Sequence, residues 1–274
     1  MVTNGRAKED RALRSFFDFE KGLVSRELYI NEEIYAREQE QIYARCWLFI
    51  GHESQVPNPG DFVVTRMGEE EVIMVRDRKD KQIRAFLNSC MHRGEKVCRY
   101  DDGNTLVFTC PFHGWSYGTD GKLVGVAYYT EAYNGGLDKG QWGLHQVAQI
   151  CNFYGSIWAT WDPKAPSFDD YVGPFGESIR HCMQSSDGED NGVEVFNPVH
   201  KWRLPTNWKV PAFTSSTESI VPSRGVYRLA LVTNEWSPAT SMFSASNTIG
   251  VSVDDDIDVP RTVFAPSNVP HVLS

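Results

Sequence analysis

Long apolar runs are missing from this 274-residue chain, and so is any excess of positive charge. No stretch approaches the roughly 20 consecutive apolar residues that a membrane-spanning helix needs. The amino-terminal MVTNGRAKEDRALRSFF scatters charges where a secretion signal would carry an apolar core. Both absences point to a cytosolic protein with no membrane partner. Lys and Arg number 27 against 36 Asp and Glu, a formal net charge of −9, which argues against a surface that neutralises nucleic-acid phosphates. A cationic redox partner or a neutral small molecule suits this balance better. Cysteine is sparse, with six residues at 46, 90, 98, 110, 151 and 182; in a reducing compartment buried thiols or metal ligands are expected before disulfides. Histidine is absent between His200 and His271, lysine is absent after residue 211, and no internal repeat is present.

With 41% hydrophobic and 23% charged residues, the composition is that of a globular chain able to bury a core. In NEEIYAREQEQIYARCW, Ile34, Tyr35, Glu38, Ile42, Tyr43 and Cys46 follow one helical face, and Asn31 is placed to cap it. Pro57, Pro59 and Gly60 then introduce β-like runs at 61–67, 71–77, 82–88, 105–109, 122–128 and 156–161, the pattern of a small all-β domain. WDPKAPSFDDYVGPFG, rich in Pro and Gly, places a boundary near 163–175, with Ser167 and Asp170 starting a helix. Residues 192–211 read as a strand pair or a strand and connector. From Ala212 to Ser274 the character changes: 17 of 63 residues are Ser or Thr, against 18 in the preceding 211. This tail, with its acidic run Asp254-Asp255-Asp256, is expected to be poorly ordered.

Two Cys/His pairs stand out. Cys90-Met91-His92 and Cys110-Pro111-Phe112-His113 are separated by 17 residues, and Gly94 and Gly114 follow closely. Strand-like runs precede both cysteines and are expected to present the two loops at the same end of one sheet. A [2Fe-2S] cluster can be held by two thiolates on one iron, Cys90 and Cys110, and two neutral imidazoles on the other, His92 and His113; this raises its potential above that of all-cysteine clusters. The glycines would let backbone N–H groups approach the sulfides, and Trp115 would shield one side. A tetrahedral zinc site with the same four ligands is the rival, although zinc sites usually pair cysteine with cysteine along the chain. Four unrelated residues is the bland reading. Cys46, Cys151 and Cys182 read as core thiols, Cys98 as an incidental neighbour, and His52, His145, His181, His200 and His271 show no ligand spacing.

The segment CMHRGEKVCRYDDGNTLVFTCPFHGWSYGTDGKLVGV resembles the Rieske domain of bacterial aromatic-ring-hydroxylating dioxygenase α subunits. Supporting matches are ARCWLFIGHESQVPNPGDF, SIWATWDP and KWRLPTNWKVPA, so that the resemblance runs from about Leu23 to about Pro211. Glu95 and Phe112 stand where Rieske proteins of cytochrome complexes carry a disulfide, which favours the oxygenase branch. The resemblance implies an α+β chain: an N-terminal helical segment (1–44), a Rieske-type antiparallel β domain (45–165), and the start of an incomplete, helix-grip-like catalytic domain (166–211) ahead of the divergent tail (212–274). It further implies electrons from a ferredoxin or NAD(P)H-dependent reductase, a mononuclear Fe(II) held by two His and one carboxylate, an aromatic hydrocarbon substrate, and assembly as a homotrimer, often with β subunits. The family's iron motif, Asp-X-X-His with a second His five residues on, would follow Asn-Trp-Lys; here the chain reads FTSSTESIVPSRGVYRLA. Codons for Thr214–Ile220 read one nucleotide out of frame can restore Asp-X-X-His. Three functional readings follow: an oxygenase α subunit, an electron carrier or inactive fragment without the mononuclear iron, and a structural zinc module with no redox activity.

Overall fold

A computed structural model of the chain describes residues 13–184, 192–195, 202–204, 206–210, 226–235 and 242–252. The two-residue strands β1 (Phe17–Asp18) and β2 (Leu23–Val24) pair near the amino terminus. The Asn31 side chain accepts from the Glu33 and Ile34 amides at 2.9 and 3.2 Å, satisfying N–H groups that a helix start leaves unpaired. The helix runs from Glu32 to Glu38 and then widens into a π-helical turn, Gln39–Tyr43. Ile34, Tyr35 and Tyr43 face inward, as the sequence spacing predicts, but the helical path ends before Cys46.

The strands that follow are short and wholly antiparallel. β4 (Asp61–Met67), β5 (Glu70–Arg76), β6 (Ile83–Leu87) and β7 (Asp102–Asn104) form a four-stranded sheet in the order β6-β5-β4-β7. A three-stranded sheet is built from β8 (Val107–Thr109), β9 (Ser116–Gly118) and β10 (Leu123–Gly125), and another from β3 (Leu48–His52), β11 (Gln149–Phe153) and β12 (Ser156–Thr160). All six predicted β runs contain strands. β1, β2, β3, β7, β9 and β11 lie outside the runs read from the sequence.

Strand β5 explains how the cores are laid out. Val72, Ile73, Met74 and Val75 are all fully buried, and because successive side chains point to opposite faces, they supply two cores at once. Ile73 and Val75 join Phe62, Phe86, Phe108, Trp115 and Tyr117 around Cys90 and Cys110. Val72 and Met74 join Ile50, Val56, Met67, Ile157 and Ala159 on the other side. Beyond the predicted boundary, Ser167 caps a helix at Phe168–Val172 by accepting from the Asp170 amide, and a second helix follows at Phe175–Met183. Phe168, Ile179 and Met183 pack on Trp47 and Phe49, so these helices close the outer side of the β11-β12-β3 sheet.

Part of the tail departs from its expected lack of order. β14 (Val226–Glu235) and β15 (Met242–Ser252) pair with each other, and β15 also pairs with β13 (Trp202–Leu204). The sequence Met242–Ser252 does alternate, with Phe243, Ala245, Ile249 and Val251 set between Ser244, Ser246, Thr248 and Ser252, and this was the signal for a strand. His200, His271, the stretch 214–220 and the acidic run 254–256 lie outside the described residues. No helix among the described residues is long and apolar enough to cross a membrane.

Candidate metal centre

The two Cys/His segments fold into loops with the same internal hydrogen bonding. In the first, the Cys90 amide donates to the Glu95 carbonyl at 2.8 Å and the Gly94 amide to the Cys90 carbonyl at 2.7 Å. In the second, the Cys110 amide donates to the Trp115 carbonyl at 2.8 Å and the Gly114 amide to the Cys110 carbonyl at 3.0 Å. Both glycines stand four residues after their cysteine with φ of 77° and 70°, a left-handed conformation that a side chain at that turn would oppose. The one-residue difference between Cys-X-His and Cys-X-X-His is therefore absorbed inside an unchanged turn.

The loops do not share a sheet, contrary to the sequence expectation. The first leaves β6, in the four-stranded sheet, whereas the second joins β8 to β9 in the three-stranded sheet. The two sheets meet over the core that holds both cysteines, and this packing, not a common sheet edge, brings the donors together.

Within the site like meets like. The Cys90 and Cys110 thiols, 3% and 2% exposed, share one buried core. The His92 and His113 rings lie 4.7 Å apart, centroid to centroid, at an angle of 78°, and both are half-buried, toward the surface. Among the described residues no three His, Cys, Asp or Glu side chains surround one point as ligands of a single metal ion do; the donors form a thiol pair beneath an imidazole pair. His92 Nδ1 is buried and has no hydrogen-bond partner, a costly arrangement unless the nitrogen serves another purpose. Burial pushes the Cys90 thiol above its ordinary range, opposed by hydrogen bonds from Tyr117 and the His92 amide. Burial, then the neighbouring His113 and Arg93, hold His92 below the usual imidazole value, favouring the neutral ring that metals bind.

Three surrounding aromatic side chains complete the site, and two of them escaped the sequence reading. Trp115 stacks on His92 at 4.9 Å and 9° and is itself met edge-on by Trp142 at 5.6 Å, which gives the predicted shield its second layer. Tyr117, fully buried, places its hydroxyl 3.2 Å from Cys90 Sγ and accepts from the Met91 amide at 3.1 Å. Trp115, just ahead of β9, and Tyr117 within it both turn inward on either side of Ser116, a period that could have been read from the sequence. Cys98 is buried beside the first loop, whereas Cys46, Cys151 and Cys182 are only half-buried, not the core thiols expected. His145 stacks on Trp161 and His52 hydrogen-bonds Ser54; neither is among the site's donors.

Two loops of opposed sheets, each giving one thiol and one imidazole, define a Rieske-type [2Fe-2S] domain, and residues 46–134 match the Rieske [2Fe-2S] domain family. The cofactor of the domain is accordingly a [2Fe-2S] cluster. The wider chain is similar to biphenyl dioxygenase subunit alpha of Metapseudomonas furukawaii, 41% identical over 207 residues that cover 73% of this chain and 44% of the relative. Benzene 1,2-dioxygenase subunit alpha of Pseudomonas putida is 40% identical over 200 residues, 73% of this chain and 43% of the relative. In three dimensions, naphthalene 1,2-dioxygenase from Rhodococcus sp. bound to indole superposes with a TM-score of 0.69 at 33% identity, over 80% of this chain and 49% of that one. Over the part it spans, the chain belongs to the family of Rieske oxygenase α subunits of aromatic-ring dioxygenases. It spans about 44% of the length of the curated relatives it matches.

Proposed function

We propose that Cys90 and Cys110 ligate one iron of the cluster and His92 and His113 the other, and that the chain is the electron-accepting part of an aromatic-hydrocarbon dioxygenase α subunit. The observation that carries the ligand assignment is that two buried thiols share one core while two imidazoles pack on each other, with His92 Nδ1 buried and unpartnered. That arrangement fits two irons with unlike ligands better than one tetrahedral zinc. When bound, the cluster supplies a one-electron store at moderate potential. The chain's own residues would do the rest: with Cys90 a thiolate ligand, the Tyr117 hydroxyl 3.2 Å away donates to it, and Trp115, buried and stacked on His92, covers the inner side.

Electrons would come from a ferredoxin or an NAD(P)H-dependent reductase. Met91 and Phe112, exposed beside the imidazoles, give such a carrier an apolar place to approach the histidine side. In the reading as an oxygenase, the cluster would supply electrons to a mononuclear Fe(II) site for dihydroxylation of an aromatic hydrocarbon, in a homotrimer with or without β subunits. The second reading, an electron carrier or inactive fragment, is favoured by one specific feature: residues 201–270 contain no histidine for such an iron.

The test begins with anaerobically purified protein. Iron and acid-labile sulfide in equal amounts, with a Rieske EPR signal after dithionite that Cys110→Ser and His113→Ala abolish, supports the ligand assignment. Zinc without sulfide overturns it. NADH-driven, substrate-dependent oxygen uptake with a reductase separates the oxygenase from the carrier, which reduces and reoxidises without turnover.

A further inference from the structure

The two ligand loops are closed alike but held differently. The second is the tip of a β hairpin: Val107, Phe108 and Thr109 on its entering strand pair with Gly118, Tyr117 and Ser116 on its leaving strand. The first enters from β6, but its returning segment, residues 95–98, joins no strand. What grips its far end, Val97 and Cys98, is one side chain. Asn88, 4% exposed, accepts at Oδ1 from the Val97 amide at 3.1 Å and the Cys98 amide at 2.9 Å. Its Nδ2 donates to the Cys98 carbonyl at 2.8 Å and to Glu71 Oε2 at 3.3 Å. The Asn88 amide also donates to the Glu71 carbonyl at 2.8 Å. Both hydrogens and both acceptor sites of the carboxamide are thus used.

We propose that Asn88 is a positioning residue for the cluster: its carboxamide replaces the missing strand partner of the returning segment and so fixes where Cys90 and His92 stand relative to the second loop. Glu71 completes the device. Its carboxylate orients the Asn88 amide group while its other oxygen is held by Arg66 at 2.8 Å and Lys96 at 2.7 Å, and Lys96 belongs to the same returning segment. The first loop is therefore pinned to β5 through side chains, where the second is pinned through backbone. Such a pin is specific to the residue type. Aspartate would keep the acceptor for the two amides but turn oxygen toward the Cys98 carbonyl and Glu71; leucine would leave three buried backbone groups without partners.

This inference rests on the ligand assignment above, and its test separates the two. If wild-type protein shows no Rieske signal, the assignment fails before Asn88 is examined. With a wild-type signal in hand, Asn88→Asp and Glu71→Gln are compared with Ile157→Val, a substitution in the other core. The expected result is a shifted and broadened reduced-cluster EPR signal, a changed midpoint potential and at least a several-fold faster loss of sulfide in Asn88→Asp, with a smaller change of the same direction in Glu71→Gln and none in Ile157→Val. Should Asn88→Asp fail to fold, Glu71→Gln alone decides. Wild-type line shape, potential and sulfide lifetime in the folded variants would overturn the proposal and leave Asn88 an ordinary buried hydrogen-bonding residue.

Discussion

Individual side chains tune this site through contacts that are few and strong. The Tyr117 hydroxyl lies 3.2 Å from Cys90 Sγ and donates to it once the sulfur is a ligating thiolate, and such a hydrogen bond stabilises the more negative, reduced cluster. Tyr117→Phe should lower the midpoint potential by roughly 40 mV, the equivalent of about 1 kcal/mol for one electron, without loss of iron; redox titration followed by EPR measures it. A second residue adds a pH-dependent contribution to stability. His52 is 3% exposed, caps the turn Glu53–Gln55, and contacts Ser54 Oγ at 2.8 Å, which in turn accepts from the Val195 amide at 3.0 Å. Burial holds its pKa below the ordinary imidazole value, with Glu53 and Glu194 opposing. The native state therefore binds fewer protons than the unfolded chain just below pH 6.5. Its contribution is complete above that pH and is lost as the pH falls through it, with a slope of at most ~1.4 kcal/mol per pH unit. Urea midpoints between pH 7.5 and 5.5 should show this decline, and His52→Gln should flatten it.

At the scale of elements, the helix Glu32–Glu38 is tied to distant chain by one carboxylate. Glu38 accepts from Trp208 Nε1 at 2.8 Å and from Lys209 Nζ at 2.6 Å, while Trp208 meets Tyr43 edge-on at 5.7 Å. The side chains of Glu38 and Lys209 are 12% and 16% exposed, so removing the acid strands a cation and an indole N–H that water reaches poorly. Glu38→Ala should cost about 2 kcal/mol, less than a fully buried pair would because some solvent remains, and Glu38→Gln less still. Asn31→Ala, which removes the cap of the same helix, should cost about 1 kcal/mol. Urea unfolding followed by far-UV circular dichroism measures both, and an Asn31→Ala protein as stable as wild type would show that the helix start is held by tertiary packing alone.

For the molecule as a whole, the cluster-bearing loops belong to the main core, since Cys90 and Cys110 pack among Ile73, Val75, Phe86 and Tyr117. Metal binding that joins two sheets is folding energy as well as chemistry. Removal of the cluster should lower the first thermal transition by roughly 5–10 °C, the equivalent of about 2–3 kcal/mol for a unit of this size. Calorimetry of cluster-loaded and cluster-free protein checks this. Equal melting temperatures would mean that the two sheets are joined by apolar contact alone.

The chemistry of the centre was legible in the sequence because it is local: cysteine, histidine and glycine at fixed offsets specify a turn and a donor set within five residues. The helix start at Asn31, the long strands β4 and β5 and the Ser167 cap were legible for the same reason. What the sequence could not express is meeting. That both thiols share one core, that the loops come from different sheets, that Asn88 grips Val97 and Cys98, and that Glu38 reaches Lys209 across 171 positions all depend on how sheets pack. Burial of apolar faces decides that packing, and burial depends on every strand at once, whereas a turn depends only on its own residues.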